Sequence, residues 1–158
     1  MAADITSSQV WKAIASQIFG VLGLVTARNE ARTVGINYVV HDRKFYIRTT
    51  ADSWKARHAS FNAKVSMTIP IAKRIPFLPW IKIPAATVSF SGDARVYPLD
   101  AVDPEVSHAM LHSLENIPDP SGLSVIEVKP RGTFVTYGVG VSLMKMRDPT
   151  KARGRAPV

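Results

Sequence analysis

Apolar residues in the first twenty positions recur at helical spacing. Trp11, Ile14 and Ile18 make one stripe, Thr6 and Gln9 have capping-box spacing, and Gly20 supplies a stop, so a helix is predicted from about Ser7 to Phe19. Beyond it the period changes to two. Val21 to Arg28 reads as a strand, Asn29-Glu30 as a turn, and Thr33 to Val40 as the returning partner. His41-Asp42-Arg43 is a second tight connection into a strand opening at Lys44, where Phe45, Ile47 and Thr49 face one way and Tyr46 and Arg48 the other. Asp52 or Ser53 is placed to cap a short helix from Trp54 to Phe61. Val65, Met67, Ile69 and Ile71 then alternate with Ser66 and Thr68 as a fourth strand, and Thr87 to Val96 gives a fifth, with Gly92 as a bulge or bend. Asp103 caps and Pro104 opens a helix to about Glu115, with Val106, Met110, Leu111 and Leu114 as its buried side. The last β segment, Val125 to Lys129 and Thr133 to Tyr137, is interrupted at Pro130-Arg131-Gly132.

Six antiparallel strands with peripheral short helices predict a mainly β fold, closed as a barrel because closure removes exposed edges. Residues 1–158 read as a single domain, without repeat or linker, long enough to bury about two-thirds of the unfolded surface. No cysteine occurs, which removes disulfides, zinc ribbons and thiol catalysis from consideration. The most apolar N-terminal run, Ile14 to Ala27, is short, holds Ser16, Gln17 and Thr26, and lacks the early cations of a secretory signal. A cytoplasmic protein without a transmembrane segment is the expectation.

Charge changes this picture. The net charge is +8, and half of it lies in a basic tail at 141–158, where Lys145, Arg147, Lys151, Arg153 and Arg155 face only Asp148. Such a tail suits nucleic acid, acidic lipid or a multiply charged small ligand, or is simply a solvated terminus. A second cationic cluster follows the third strand, where Arg48, Thr49, Thr50, Ser53, Lys55 and Arg57 fall within ten residues. Short hydroxyl donors, a helix start and positive charge together suit a phosphate. The same residues also serve strand ends and caps for purely local reasons.

Other constellations carry less. His108 and His112 sit at i and i+4, but Ala109 stands where the metalloprotease pattern needs glutamate, and no third ligand is in sight, so no metal site is expected. No nucleophile elbow, Walker loop or dinucleotide fingerprint occurs, which leaves any chemistry to a bound cofactor. The segment IPFLPWIKIPA at 75–85 holds three prolines among six large apolar residues and is flanked by cations. It is read as a loop that packs on a partner subunit or lids a pocket, with a membrane surface as the other reading.

The ordered set VLGLVTARNEARTVGINYVV, FYIRTTADSWKARHASFNAKVSMTI and ATVSFSGDARVY resembles the pyridoxamine 5′-phosphate oxidase-like family, the flavin-binding split barrels, with a looser match through VIEVKPRGTFVTY. The resemblance implies a homodimer of split β-barrels with cofactor sites at the subunit interface. It implies that Arg48, Thr49, Thr50, Ser53 and Lys55 hold the flavin phosphate and ribityl chain, with Trp54 beside them. Asn37, Tyr38 and Trp80 are the candidates for the rest of the pocket.

Two departures bear on the reaction. The second strand reads Thr33-Val34-Gly35-Ile36-Asn37, without the cations that grip FMN phosphate in true pyridoxamine phosphate oxidases, and the C-terminal substrate motif has no clear match. Vitamin B6 oxidation is therefore not expected. The run RTTADSWK is similar to the branch that uses the deazaflavin F420. The expectation is an FMN-dependent oxidoreductase acting on an unknown small molecule, with no assigned catalytic acid or base. The alternatives are an F420-dependent reductase and a non-catalytic flavin- or haem-binding protein. A nucleic-acid-binding barrel ranks behind these, because Phe45 and Tyr46 point to opposite faces and leave no stacking platform.

Overall fold

The structure, a computed structural model, describes residues 4–75, 77–78, 80–81, 83–112 and 122–158. These form two compact units, one of Ile18–Met67 and Ser91–Arg131, the other of Met1–Gln17, Thr68–Phe90 and Gly132–Val158. The class is mainly β, as expected, with eight strands rather than six.

The unit holding Ile18–Met67 begins with an antiparallel hairpin of β1 (Phe19–Val25) and β2 (Ala31–Asn37), in which Phe19 pairs with Asn37 and Val25 with Ala31. Its turn spans more than Asn29-Glu30. Thr26 Oγ1 accepts from the N–H groups of Arg28 and Glu30, at 3.3 and 3.2 Å, and Asn29 takes a φ of 60°. The strand predicted to reach Val40 stops at Asn37. Tyr38 N–H turns to the Ile18 carbonyl at 3.0 Å, and a separate β3 (Val39–His41) begins.

β3 pairs with β4 (Lys44–Thr50) across Asp42 and Arg43, whose φ values of 51° and 56° are those of a two-residue type I′ hairpin. β4 in turn pairs with β7 (Leu123–Tyr137), from Phe45 opposite Val128 to Thr50 opposite Leu123. The expected interruption at Pro130 is absent, and β7 runs through it. β5 (Lys64–Ile71) and β6 (Ala86–Pro98) complete the order β2-β1-β5-β6-β7-β4-β3. Gly92 is no bulge but a close approach: a Cβ there would lie 2.7 Å from Val128 Cγ1.

Two helices belong to this unit. α2 (Trp54–Phe61) is where the sequence predicts it, with Ser53 as the cap, not Asp52. α3 (Pro104–His112) starts as predicted, with the Asp103 carboxylate accepting from Glu105 N–H at 2.8 Å. Its predicted extension to Glu115, Leu114 included, lies outside the described residues. Val106 and Met110 are buried with Tyr46, Leu99 and Val125 in one apolar cluster, whereas Leu111 is exposed, against expectation.

The other unit holds α1 (Ser7–Ala15), which ends four residues earlier than its apolar stripe suggests. Ser16 caps it, its hydroxyl donating back to the Ala13 carbonyl at 2.7 Å, and Gly20 belongs instead to β1. The basic tail is not a solvated terminus. A short 3-10 turn at Lys145–Arg147 leads into α4 (Pro149–Ala152), capped by the Asp148 carboxylate, and then into β8 (Arg153–Pro157). β8 pairs with β7 and alternates exposed Arg153 and Arg155 with buried Gly154 and Ala156. Phe134 is fully buried on β7 and receives the ring edges of Trp11 at 5.2 Å and Phe90 at 5.4 Å.

That aromatic triple sets an expected cost. Phe134→Ala should lower stability by about 3–5 kcal/mol, the scale for deleting a fully buried ring, and Phe134→Leu by clearly less. Urea unfolding with an unchanged slope would measure both, and a loss under about 1 kcal/mol for the alanine variant would contradict this packing.

Candidate functional site

β4 carries the site because of its alternation. Tyr46 and Arg48, two residues apart, share one face, while Phe45 and Ile47 are buried on the other. Tyr46 and Arg48 line a cavity of about 540 Å³ together with Gly35, Ile36 and Asn37 from β2, Tyr38, and Val39 from β3. Lys55 enters from α2, Ala109 and Met110 from α3, and Ile18 from the residue before β1. The volume is that of an ordinary small-molecule site.

The charges in this cavity are one-sided. Among the described residues its lining contains Arg48 and Lys55 and no carboxylate. Arg48 Nη1 is buried and has no hydrogen-bond partner among the described residues. A buried guanidinium nitrogen left unpaired is costly, and an anionic oxygen is the partner it suits. Part of the lining is apolar, with Val39, Met110 and the Tyr46 ring packed in the α3 cluster. The cavity can therefore take a molecule that is anionic at one end and apolar at the other.

The remaining polar candidates are engaged elsewhere. Thr49 Oγ1 and Ser53 Oγ lie 2.7 Å apart, and Ser53 Oγ also accepts from Ala56 N–H at 3.2 Å, so this pair builds the α2 cap. Thr50 is exposed, and Trp54 is half-buried with its ring 6.0 Å from that of His58. None of these four lines the cavity. Nor does Trp80, which is 73% exposed in the other unit. Of the nine residues predicted, Asn37, Tyr38, Arg48 and Lys55 are brought together.

Sequence reasoning missed the walls. Tyr46 was visible as the face-mate of Arg48 and Met110 as a core residue of α3, but nothing local announces that the two meet. Gly35 was also missed; a Cβ there would lie 2.9 Å from the Phe19 ring, so a bare backbone lets that ring lie across β2.

Neither tyrosine is a base. Burial pushes the Tyr38 phenol well above its usual value. The Tyr46 phenol is pushed up to about 12, first by burial and then by the Glu127 carboxylate, which is both a nearby charge and its hydrogen-bond partner, with Asp42 and Asp103 adding to the same field. Glu127 itself receives Lys44 Nζ at 3.3 Å. At neutral pH both phenols hold their protons, and no histidine is among the described residues that line the cavity. A further cluster, His41, Asp103 and Glu105, sets ligand-type atoms within 4.8 Å of one another. Asp103 is already the α3 cap, and a Glu105 carboxylate oxygen lies 3.7 Å from His41 Nδ1.

With this geometry in hand, the sequence finds its class. The chain belongs to the pyridoxamine 5′-phosphate oxidase family, whose profile matches residues 7–137. Solved structures share the fold at low identity. The haem storage protein HutZ from Vibrio cholerae is 14% identical with a TM-score of 0.64, covering 85% of this chain and 96% of its own. A FAD-binding protein from Mesorhizobium loti is 12% identical with a TM-score of 0.59, covering 80% and 91%. An F420 reductase is 16% identical with a TM-score of 0.56, covering 78% and 93%. No curated protein matches the sequence. One fold thus serves flavin, deazaflavin and haem in these neighbours.

The tyrosines give a test with a defined sign. A native phenol raised to about 12 keeps its proton where an unfolded one, near pH 10, has lost it. The native state then binds more protons, so stability should fall as pH rises from about 10 to about 12. Thermal midpoints across that range should decline less steeply for Tyr46→Phe than for the wild type. An identical decline would place the Tyr46 phenol in water.

Proposed function

We propose that the protein is a flavin-dependent oxidoreductase that binds FMN in the Arg48–Lys55 cavity and acts on a small molecule. The observation that carries this reading is the buried Arg48 Nη1, unpartnered among the described residues, in a cavity that Lys55 also lines and whose described lining holds no carboxylate. The residues fit the cofactor. Arg48 and Lys55 would hold its phosphate, the Asn37 amide would orient a polar edge, and Val39, Tyr46 and Met110 would keep water from its apolar part. When bound, the isoalloxazine supplies hydride chemistry, which the lining side chains do not offer.

A homodimer is part of the proposal. Ile18 lines the cavity yet is 74% exposed, and the neighbouring Phe19 is 44% exposed. A second copy would cover both and narrow the mouth. The F420 reading shares the phosphate argument and rests on the likeness of RTTADSWK. For haem, the described residues lining the cavity offer no imidazole to ligate the iron.

Titrating the purified protein with FMN, F420 and haem in parallel, by fluorescence or absorbance, tests the assignment. FMN is expected to bind at micromolar concentration or tighter. Arg48→Gln and Lys55→Ala should each weaken it by about 1.5–3 kcal/mol, the range for a charged hydrogen bond. Binding of F420 alone would transfer the site to the deazaflavin. Unchanged FMN affinity in both variants would show that the phosphate lies elsewhere.

A further inference from the structure

The unit of Thr68–Phe90 and Gly132–Val158 leaves large apolar side chains in water in one short stretch. Phe77 is 94% exposed, Trp80 73%, Ile81 42% and Leu78 38%. Singly exposed apolar residues are ordinary, but four within five positions are not. The backbone presents them on successive turns, with Leu78 N–H on the Ile75 carbonyl at 3.2 Å and Ile81 N–H on the Leu78 carbonyl at 3.1 Å. Phe77 has a φ of 68°, a strained region for a residue with a Cβ, and displays its ring to solvent.

Cations border this loop. Lys73 Nζ donates to the Val141 carbonyl at 3.0 Å, which ties the root of the loop to the segment bearing Met144, 74% exposed, and exposed Lys145 and Arg147. Residues 68–90 and 132–158 hold eight Lys and Arg against one carboxylate, Asp148. That carboxylate is already committed to Thr150 and Lys151, which hold it well below the usual carboxylate range. A second copy placed against this surface would bring like charges together, and interface cores are depleted in lysine. Anionic lipid supplies the missing sign, and tryptophan and phenylalanine beside basic residues suit the headgroup boundary. Among the described residues no helix is long and apolar enough to cross a membrane, so contact here is peripheral.

We infer that this loop and its basic border dock on an anionic phospholipid bilayer. Phe77, Trp80, Ile81 and Met144 enter the boundary between headgroups and acyl chains, while Arg74, Lys145 and Arg147 meet lipid phosphates.

Co-sedimentation of the full chain with vesicles tests this. Binding is expected on vesicles containing phosphatidylglycerol, little on pure phosphatidylcholine, and reversal by salt. Brominated acyl chains should quench Trp80 emission, and Trp80→Phe should abolish that quenching while half-buried Trp11 and Trp54 remain unaffected. The double variant Phe77→Ser/Ile81→Ser should lose at least tenfold in partitioning with an unchanged thermal midpoint, since both side chains are already in water. Lys145→Gln/Arg147→Gln should weaken binding several-fold. Failure to bind anionic vesicles, or equal binding by the Phe77/Ile81 variant, would overturn the inference. A change in the sedimentation mass of that variant would overturn it too, and give the loop to a second copy of the chain.

Discussion

Strand β4 is covered on both faces, and the site follows from that. It lies between β3 and β7, and Phe45, Tyr46 and Ile47 are consecutive buried residues, so neither side of the strand is open to water over its middle. Arg48 comes next and cannot escape this environment. Its Nη1 is buried in the cavity, and no acidic side chain is among the described residues that line it. Placing a cation in that way costs stability, and an anionic partner would return it.

Around that cation the structure holds its polar groups in fixed protonation states. Lys44, Glu127 and Tyr46 form a chain across β4 and β7, with the carboxylate taking up both the ammonium and the phenol. Tyr46 is thereby a rigid, neutral wall. Geometry of this kind positions and insulates a ligand without competing for its protons, and it agrees with a family whose neighbours carry different redox groups on one frame.

Local features were legible in the sequence, and long-range ones were not. The β4 alternation, the α2 boundaries and the Asp103 cap depend on side chains within a few residues of each other, and all three are found where patterning puts them. The errors share a cause. Ile18 extended the apparent stripe of α1, but its carbonyl is taken by Tyr38 across a sheet. Pro130 reads as a break, yet β7 continues through it. Composition left a solvated terminus among the readings of the basic tail, because β8 gains its order from β7 rather than from its own sequence. Tyr46, Met110 and Gly35 needed the third dimension altogether.

The pairing of β4 with β7 also has a consequence in time. Hairpins β1–β2 and β3–β4 close over a few residues, whereas the contact between Lys44 and Glu127 spans 83 positions. Loop closure of that length is entropically slow, and pairings so distant form late. During synthesis, Arg48 leaves the ribosome long before the strand that will shelter it. The young chain therefore passes through a stage in which its cation is hydrated and the cavity still lacks the wall that Ala109 and Met110 supply. On the reading proposed for this cavity, a ligand of Arg48 joins only after most of the polypeptide has emerged, which makes loading a late event in the life of each molecule.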